Sequence, residues 1–256
     1  MPFLILENLS KLFDGNLALD NISLQLEERE IVALIGPNGS GKTTLFNIIS
    51  GFTKPDQGGI IFKGVKITNL PPNKISRLGI TRSFQRIRLF HQLSVLDNML
   101  LATRYKEGEK LSSALFRTRS VQEEEEENIK RSLGYLSFVG LLEKRDVPSE
   151  NLSFGQRKLL ELAMAFASDA DLILLDEPTS GVFPETKAKI IENIQKLNEE
   201  GKTILFIEHD MELVMRLAKR LIVLDHGKLI ADGCPDEIIS SENVLDAYFG
   251  ERKFYA

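Results

Sequence analysis

The chain carries a single cysteine, Cys234, so no internal disulfide can form, which fits a reducing compartment. No apolar run approaches the roughly 18 residues needed to span a bilayer. The first residues, Met1-Pro2-Phe3-Leu4-Ile5-Leu6-Glu7, lack the basic stretch and cleavage site of a secretory signal. Any membrane role is therefore expected to be played from outside the bilayer, through a partner. Positive charge is not in excess either. With 32 Lys and Arg against 37 Asp and Glu the net charge is −5, which argues against nucleic acid as the main partner, since phosphate neutralisation needs a basic surface. Internal repeats, disordered linkers and long heptad runs are absent from the pattern. What is present is ordinary for a globular protein: 256 residues, 43% hydrophobic and 27% charged, enough for a sizeable core in one large or two intimately joined domains.

Periodicity divides the chain. Phe3–Leu9 and Ile22–Leu26 alternate apolar and polar residues around a turn at Asp14-Gly15-Asn16, and residues 58–64 read the same way, so antiparallel strands with one exposed face are expected near the start. Ile31–Ile35, Leu172–Leu175 and Thr203–Ile207 are continuous apolar runs, the pattern of parallel strands buried on both faces. Arg220–Leu224 and Lys228–Ala231 flank Asp225-His226-Gly227 as a hairpin, and Pro184 opens a helix that Gly201 stops. The middle, roughly 80–165, is helical in pattern with no convincing buried strand. Its acid run, Gln122–Glu127, reads as a solvated helix face. The fold class is α/β: a mixed, largely parallel sheet, an N-terminal antiparallel β-subdomain, and a helical subdomain over about 90–165 inserted into the core.

The chemistry enters at Gly36-Pro37-Asn38-Gly39-Ser40-Gly41-Lys42-Thr43, followed by Thr44, between the apolar run Ile31–Ile35 and a helical segment at Thr44–Ser50. Strand, glycine-rich loop and helix in that order form a nucleotide phosphate-binding loop. Glycines let backbone N–H groups crowd around an anion, and the helix aims its positive end at the same place. Lys42 is placed to reach the β/γ-phosphates and the Thr43 hydroxyl to ligate Mg²⁺.

Such a loop needs a second metal anchor on a neighbouring strand. Leu172-Ile173-Leu174-Leu175-Asp176-Glu177-Pro178 supplies it, with Asp176 as the Mg²⁺ acid and Glu177 one residue on, where it can accept a proton from attacking water. Gln85 and His209 are candidates for sensing the γ-phosphate, His209 because it follows an apolar strand into the crevice where open α/β sheets bind ligands. His91 and His226 have no such context and read as surface residues. Leu152-Ser153-Phe154-Gly155-Gln156 opens a strong helix at 157–168, with Leu159, Leu162, Ala163 and Phe166 on one face, and Ser153 and Gly155 at its start can form a second anion site.

Phosphate loop, Gln85, this pentapeptide, Asp176-Glu177 and His209 in that order resemble the ATP-binding subunits of ABC transporters, over essentially the whole chain. The resemblance implies one ABC ATPase domain over 1–256, with a RecA-like core around the helical insertion and a C-terminal extension at about 235–256. It implies two subunits closing head to tail over two ATP molecules, so that Ser153, Gly155 and Gln156 meet the γ-phosphate of ATP held by the partner's Gly36–Thr44. It further implies that Phe13 stacks on adenine, Glu177 is the general base, His209 the γ-phosphate switch, and Gln85 the residue coupling Mg²⁺ and water to the membrane partner.

In detail the wording of Ile35–Gly39, Leu45–Phe52, Gly79–Gln85, Arg88-Leu89-Phe90, Ile207–Met211 and Ala247–Glu251 resembles the branched-chain amino acid importer ATPases. That implies two permease chains, an indirect tie to an extracytoplasmic substrate-binding protein, a homo- or heterodimer, and a place at the cytoplasmic face of the membrane. The permease contact is expected between about 80 and 105. Importers of urea or amides are an alternative, as are soluble ABC ATPases of the ribosome or iron–sulfur assembly type. A nucleotide kinase is disfavoured by the pentapeptide. The chain departs from the family at Gly181-Val182-Phe183-Pro184, where Phe183 replaces a polar residue, and at Arg157 and Lys219.

Overall fold

The computed structural model describes residues 2–83, 89–103 and 119–240. Two compact units emerge: one comprises the chain up to Arg82, Asp171–Glu177 and the chain from Gln195, the other Ser83–Ala170 and Pro178–Ile194.

In the first unit, β1 (Leu4–Phe13), β2 (Asn16–Leu26), β4 (Gln57–Phe62) and β5 (Val65–Lys66) form an antiparallel sheet in the order β2-β1-β4-β5. The second sheet runs β10-β9-β3-β8-β7-β6, from β3 (Ile31–Ile35), β6 (Ile80–Arg82), β7 (Leu172–Asp176), β8 (Thr203–Ile207), β9 (Arg220–Asp225) and β10 (Lys228–Gly233). All its pairs are parallel except β9–β10. Three hairpins turn on two residues each, Asp14-Gly15 (φ 48° and 84°), Lys63-Gly64 (φ 49° and 75°) and His226-Gly227 (φ 44° and 77°). Both central residues are left-handed, the turn whose twist matches paired strands and which favours glycine second.

Every residue of β3, β7 and β8 is buried, as continuous apolar runs require. One face of the parallel sheet, with Leu34, Leu174, Leu205 and Ile222, shares a core with Leu4, Leu6 and Phe62 of the antiparallel sheet. Helix α1 (Lys42–Ile49) contributes Leu45, Phe46, Ile48 and Ile49 to that core, which fixes the helix behind the glycine-rich loop. A short helix, α2 (Pro72–Leu78), ends at Gly79 (φ 111°) and leads into β6. Strand β6 lies inside the stretch expected to hold no buried strand. With three residues, of which only Ile80 is fully buried, it is too short to show a period.

The second unit is helical. Helices α3 (Val95–Ala102), α4 (Arg119–Phe138) and α5 (Phe154–Ala167) pack on one another through Met99, Leu136, Leu159 and Phe166, with Phe138 edge-on to Phe166 at 6.1 Å. The acid run lies on α4, whose residues 122–127 are exposed or half-buried. Helix α6 (Pro184–Glu199) follows Phe183, its residues up to Ile194 in this unit and the rest in the first, to which α7 (Met211–Leu217) and α8 (Pro235–Ile239) also belong. The expected C-terminal extension beyond 240 lies outside the described residues.

Candidate functional site

Strand β3 sits between β8 and β9, and β7 adjoins β8, so the carboxyl ends of β3, β8 and β7 are neighbours. Parallel strands therefore deliver the glycine-rich loop, His209 and the Asp176-Glu177 pair to one edge of the sheet, where ligands of open α/β sheets bind. This gathering lies within the first unit.

At two of its glycines the loop is held by backbone contacts that leave no room for a side chain. Gly36 adopts φ 153°, and a Cβ there would lie 2.1 Å from the Leu224 carbonyl oxygen of β9. At Gly41, φ 104°, a Cβ would lie 2.6 Å from the Ala18 carbonyl oxygen. Pro37 accepts from the Ser40 amide at 3.2 Å, closing the turn over Asn38 and Gly39, and Ser40 accepts from the Gly227 amide at 3.1 Å. Gly41 caps α1 with no side-chain bond, so amides of the first turn stay available to an anion.

Lys42 is only 6% exposed, and its ammonium donates to the carbonyls of Gly36 (2.8 Å) and Pro37 (2.9 Å). Burial holds its pKa below the ordinary lysine value, against the opposing pull of Glu177 and then Asp176. Thr43 is exposed and Thr44 half-buried.

Asp176 ends β7 opposite Ile207 of β8 and is buried. Glu177 follows in the left-handed region, φ 49°, its amide donating to the Ile207 carbonyl at 3.0 Å. That turn takes its carboxylate out of the strand direction, and Glu177 Oε1 lies 3.3 Å from His209 Nε2. The pair is accessible, with side-chain exposures of 19% for Glu177 and 42% for His209. Phe13 closes the β1–β2 hairpin opposite Asn16, 45% exposed, with Lys11 Nζ 5.3 Å from its ring centroid. Gln85 lies outside the described residues.

In the second unit, Ser153 is the N-cap of α5 and Gln156 its third residue. The Ser153 hydroxyl accepts from the Gln156 amide (3.3 Å), and the Gln156 side chain accepts from the Ser153 amide (3.0 Å). The helix thus starts at Phe154, earlier than its apolar face indicates. Gly155 faces Thr186, whose hydroxyl would lie 3.0 Å from a Cβ there.

Sequence reasoning passed over Arg82 and Asn47. Arg82 Nη2 donates to Asp176 Oδ2 at 2.9 Å and Nη1 to Asn47 Oδ1 at 2.6 Å. The available signal was an arginine ending a short apolar strand just ahead of Gln85. The carbonyl of Leu224 and the amide of Gly227 were beyond reach, because backbone groups leave no trace in residue type.

A family model described as ABC transporter matches residues 19–180. The chain is 40% identical over 251 residues to the high-affinity branched-chain amino acid transport ATP-binding protein LivG of Salmonella typhimurium, covering 98% of each. Among solved structures it is similar to a nucleotide-free ATP-binding cassette from an ABC transporter, with 34% identity, a TM-score of 0.84, and coverage of 98% of this chain and 100% of that one. It is also similar to a dimeric ATP-binding cassette in a post-hydrolysis state bound to ADP and Pi, with 29% identity, a TM-score of 0.75, and coverage of 91% and 98%.

Proposed function

Because the chain belongs to the ABC transporter family of ATP-binding subunits, and is therefore an ATPase, we propose that its hydrolysis drives uptake of branched-chain amino acids through separate permease chains. The observation that carries this reading is the end-to-end similarity to LivG, 40% identity over 98% of both chains. No helix among the described residues is long and apolar enough to cross a membrane, so the translocation path is assigned to other chains at whose cytoplasmic face this one docks. Phe90 and Leu101, 59% and 56% exposed, support a docking surface in the 80–105 segment.

The chemistry follows from the first unit. ATP lays its phosphates in the loop Gly36–Thr44, where backbone amides and the end of α1 receive them, with Phe13 against the adenine. Lys42 exchanges its two carbonyl partners for phosphate oxygens, a stronger charge-assisted bond. Glu177 accepts a proton from water as the water oxygen bonds to the γ-phosphorus and the bond to the bridging oxygen breaks, releasing phosphate and ADP. His209 holds the Glu177 carboxylate and senses the γ-phosphate. The hard oxygens of Thr43 and Asp176 fit Mg²⁺ and would hold it, where it supplies neutralising charge to the phosphates.

The second unit serves a partner copy or a related subunit. Ser153, Gly155 and Gln156 meet the γ-phosphate of ATP bound by the other subunit, so nucleotide favours the closed dimer because only that form uses both half-sites. Deleting the gene in its host and measuring uptake of labelled leucine, isoleucine and valine tests the reading. Loss of that uptake, restored by the wild-type gene and not by Glu177→Gln, is expected. Undiminished leucine uptake with a loss of urea uptake would overturn the substrate assignment.

A further inference from the structure

We propose that Arg82 is a positioning residue that sets how strongly Mg²⁺ tightens nucleotide binding, by holding the Asp176 carboxylate against the helix that carries Lys42 and Thr43. The inference rests on the reading of Asp176 as a metal-holding acid. Arg82 ends β6, next to β7, and its side chain is 5% exposed beside a 4% exposed Asp176. Its guanidinium spans two elements. Nη2 donates to Asp176 Oδ2 (2.9 Å), while Nη1 donates to Asn47 Oδ1 (2.6 Å) and approaches Ser50 Oγ (3.4 Å). Its plane lies over Phe46, 5.5 Å from the ring centroid. Phe46 and Asn47 lie on α1 and Ser50 caps it, so one side chain ties the acid strand to the phosphate-loop helix.

Elementary electrostatics says why an arginine is needed. A buried carboxylate is costly without a compensating charge, and before nucleotide arrives the Arg82 guanidinium provides one. Its rigid fork can hold Asn47 and Asp176 at once, whereas the point charge of a lysine cannot span both with the same geometry. Residues that orient a metal's ligands shape its affinity although they never touch it. A structural ion pair alone would behave differently. Losing it would weaken the fold, and nucleotide affinity would fall by the same factor with and without metal.

The experiment uses the full chain and a fluorescent ATP analogue, with Kd measured in MgCl₂ and in EDTA for wild type, Arg82→Lys, Asn47→Ala and Asp176→Asn. Thermal melts are recorded without nucleotide. Arg82→Lys is expected to cut the Mg²⁺-dependent tightening by about tenfold while the Kd in EDTA stays near the wild-type value. Asn47→Ala, which spares the ion pair and removes the 2.6 Å anchor, is expected to give a smaller loss in the same sense, and carries the test should Arg82→Lys fail to fold. Equal losses in both media, or no loss in either, would overturn the proposal. Should Asp176→Asn keep the full Mg²⁺ tightening, the metal reading and this inference fall together. Should Asp176→Asn lose it while Arg82→Lys and Asn47→Ala keep it, the inference falls alone.

Discussion

The two proposed half-sites are built on opposite electrostatic plans. In the first unit three charged groups are already engaged: Lys42 on two carbonyls, Asp176 on Arg82, Glu177 on His209. In the second, the helix start at Ser153 is neutral, and its two side chains satisfy each other's backbone amides. A charged pocket must be pre-organised, since buried ions without partners are costly. A capped helix end, by contrast, can stand exposed in a separate subunit at little cost and still present amides to a phosphate. The contrast suits the proposed division, in which the reactive groups stay in one chain and a neutral clamp is lent to the other.

Three substitutions press on that contrast. The largest effect is expected from Glu177→Gln, which removes only the proton acceptor. Turnover should fall about 10²–10⁴-fold while ATP still binds, as steady-state hydrolysis and nucleotide titration would show. Near-normal turnover would reject Glu177 as the base. Next is Lys42→Ala, which removes hydrogen bonds between charged groups of about 1.5–3 kcal/mol and should weaken ATP binding by about 10–100-fold in a titration. Its pH dependence carries a sign. With the pKa lowered in the folded state, the unfolded chain holds the proton more tightly, so nucleotide-free wild type gains stability as pH rises through the lowered Lys42 value. Melts of Lys42→Ala should lack that gain. The smallest effect is expected from Ser153→Ala, which loses a cap of about 1 kcal/mol and should lower the melting temperature by about 2–4 °C. ATP binding to the isolated chain should not change, and a marked loss of that affinity would break the division between the units.

Much of this was legible before any coordinates. Continuous apolar runs located β3, β7 and β8 because a strand buried on both faces has no polar face to interrupt it. The glycine spacing of 36–41 located the tight turn between β3 and α1 because those positions need backbone angles or clearances that side chains deny. Three things were not legible. The left-handed turn at Glu177 falls on a residue type that gives no warning of it. The Gln156 side chain accepts from the Ser153 amide, a capping bond that follows from its place three residues after a serine and that the sequence reading did not anticipate. Arg82 looked like one more polar residue in a stretch read as helical, since nothing local signals that its charge is buried against Asp176 and Asn47. No structural reason emerges for the exchange at Arg157. Lys219 contacts the Asn198 side chain at 3.3 Å, a local anchoring role.

The β9–β10 hairpin bears on which fragments of this protein can work. Gly36 packs against the Leu224 carbonyl, and the Gly227 amide bonds to Ser40, so the phosphate loop rests on chain synthesised long after it. Every residue assigned to the chemistry has left the ribosome by His209, yet the loop's scaffold arrives only with residues 220–233. A fragment ending between those points would carry every diagnostic motif and still lack a formed phosphate cradle. A chain shortened to end before residue 220 is accordingly expected to lack both the Leu224 and the Gly227 partners of the glycine-rich loop, which nucleotide titration of such a fragment would check.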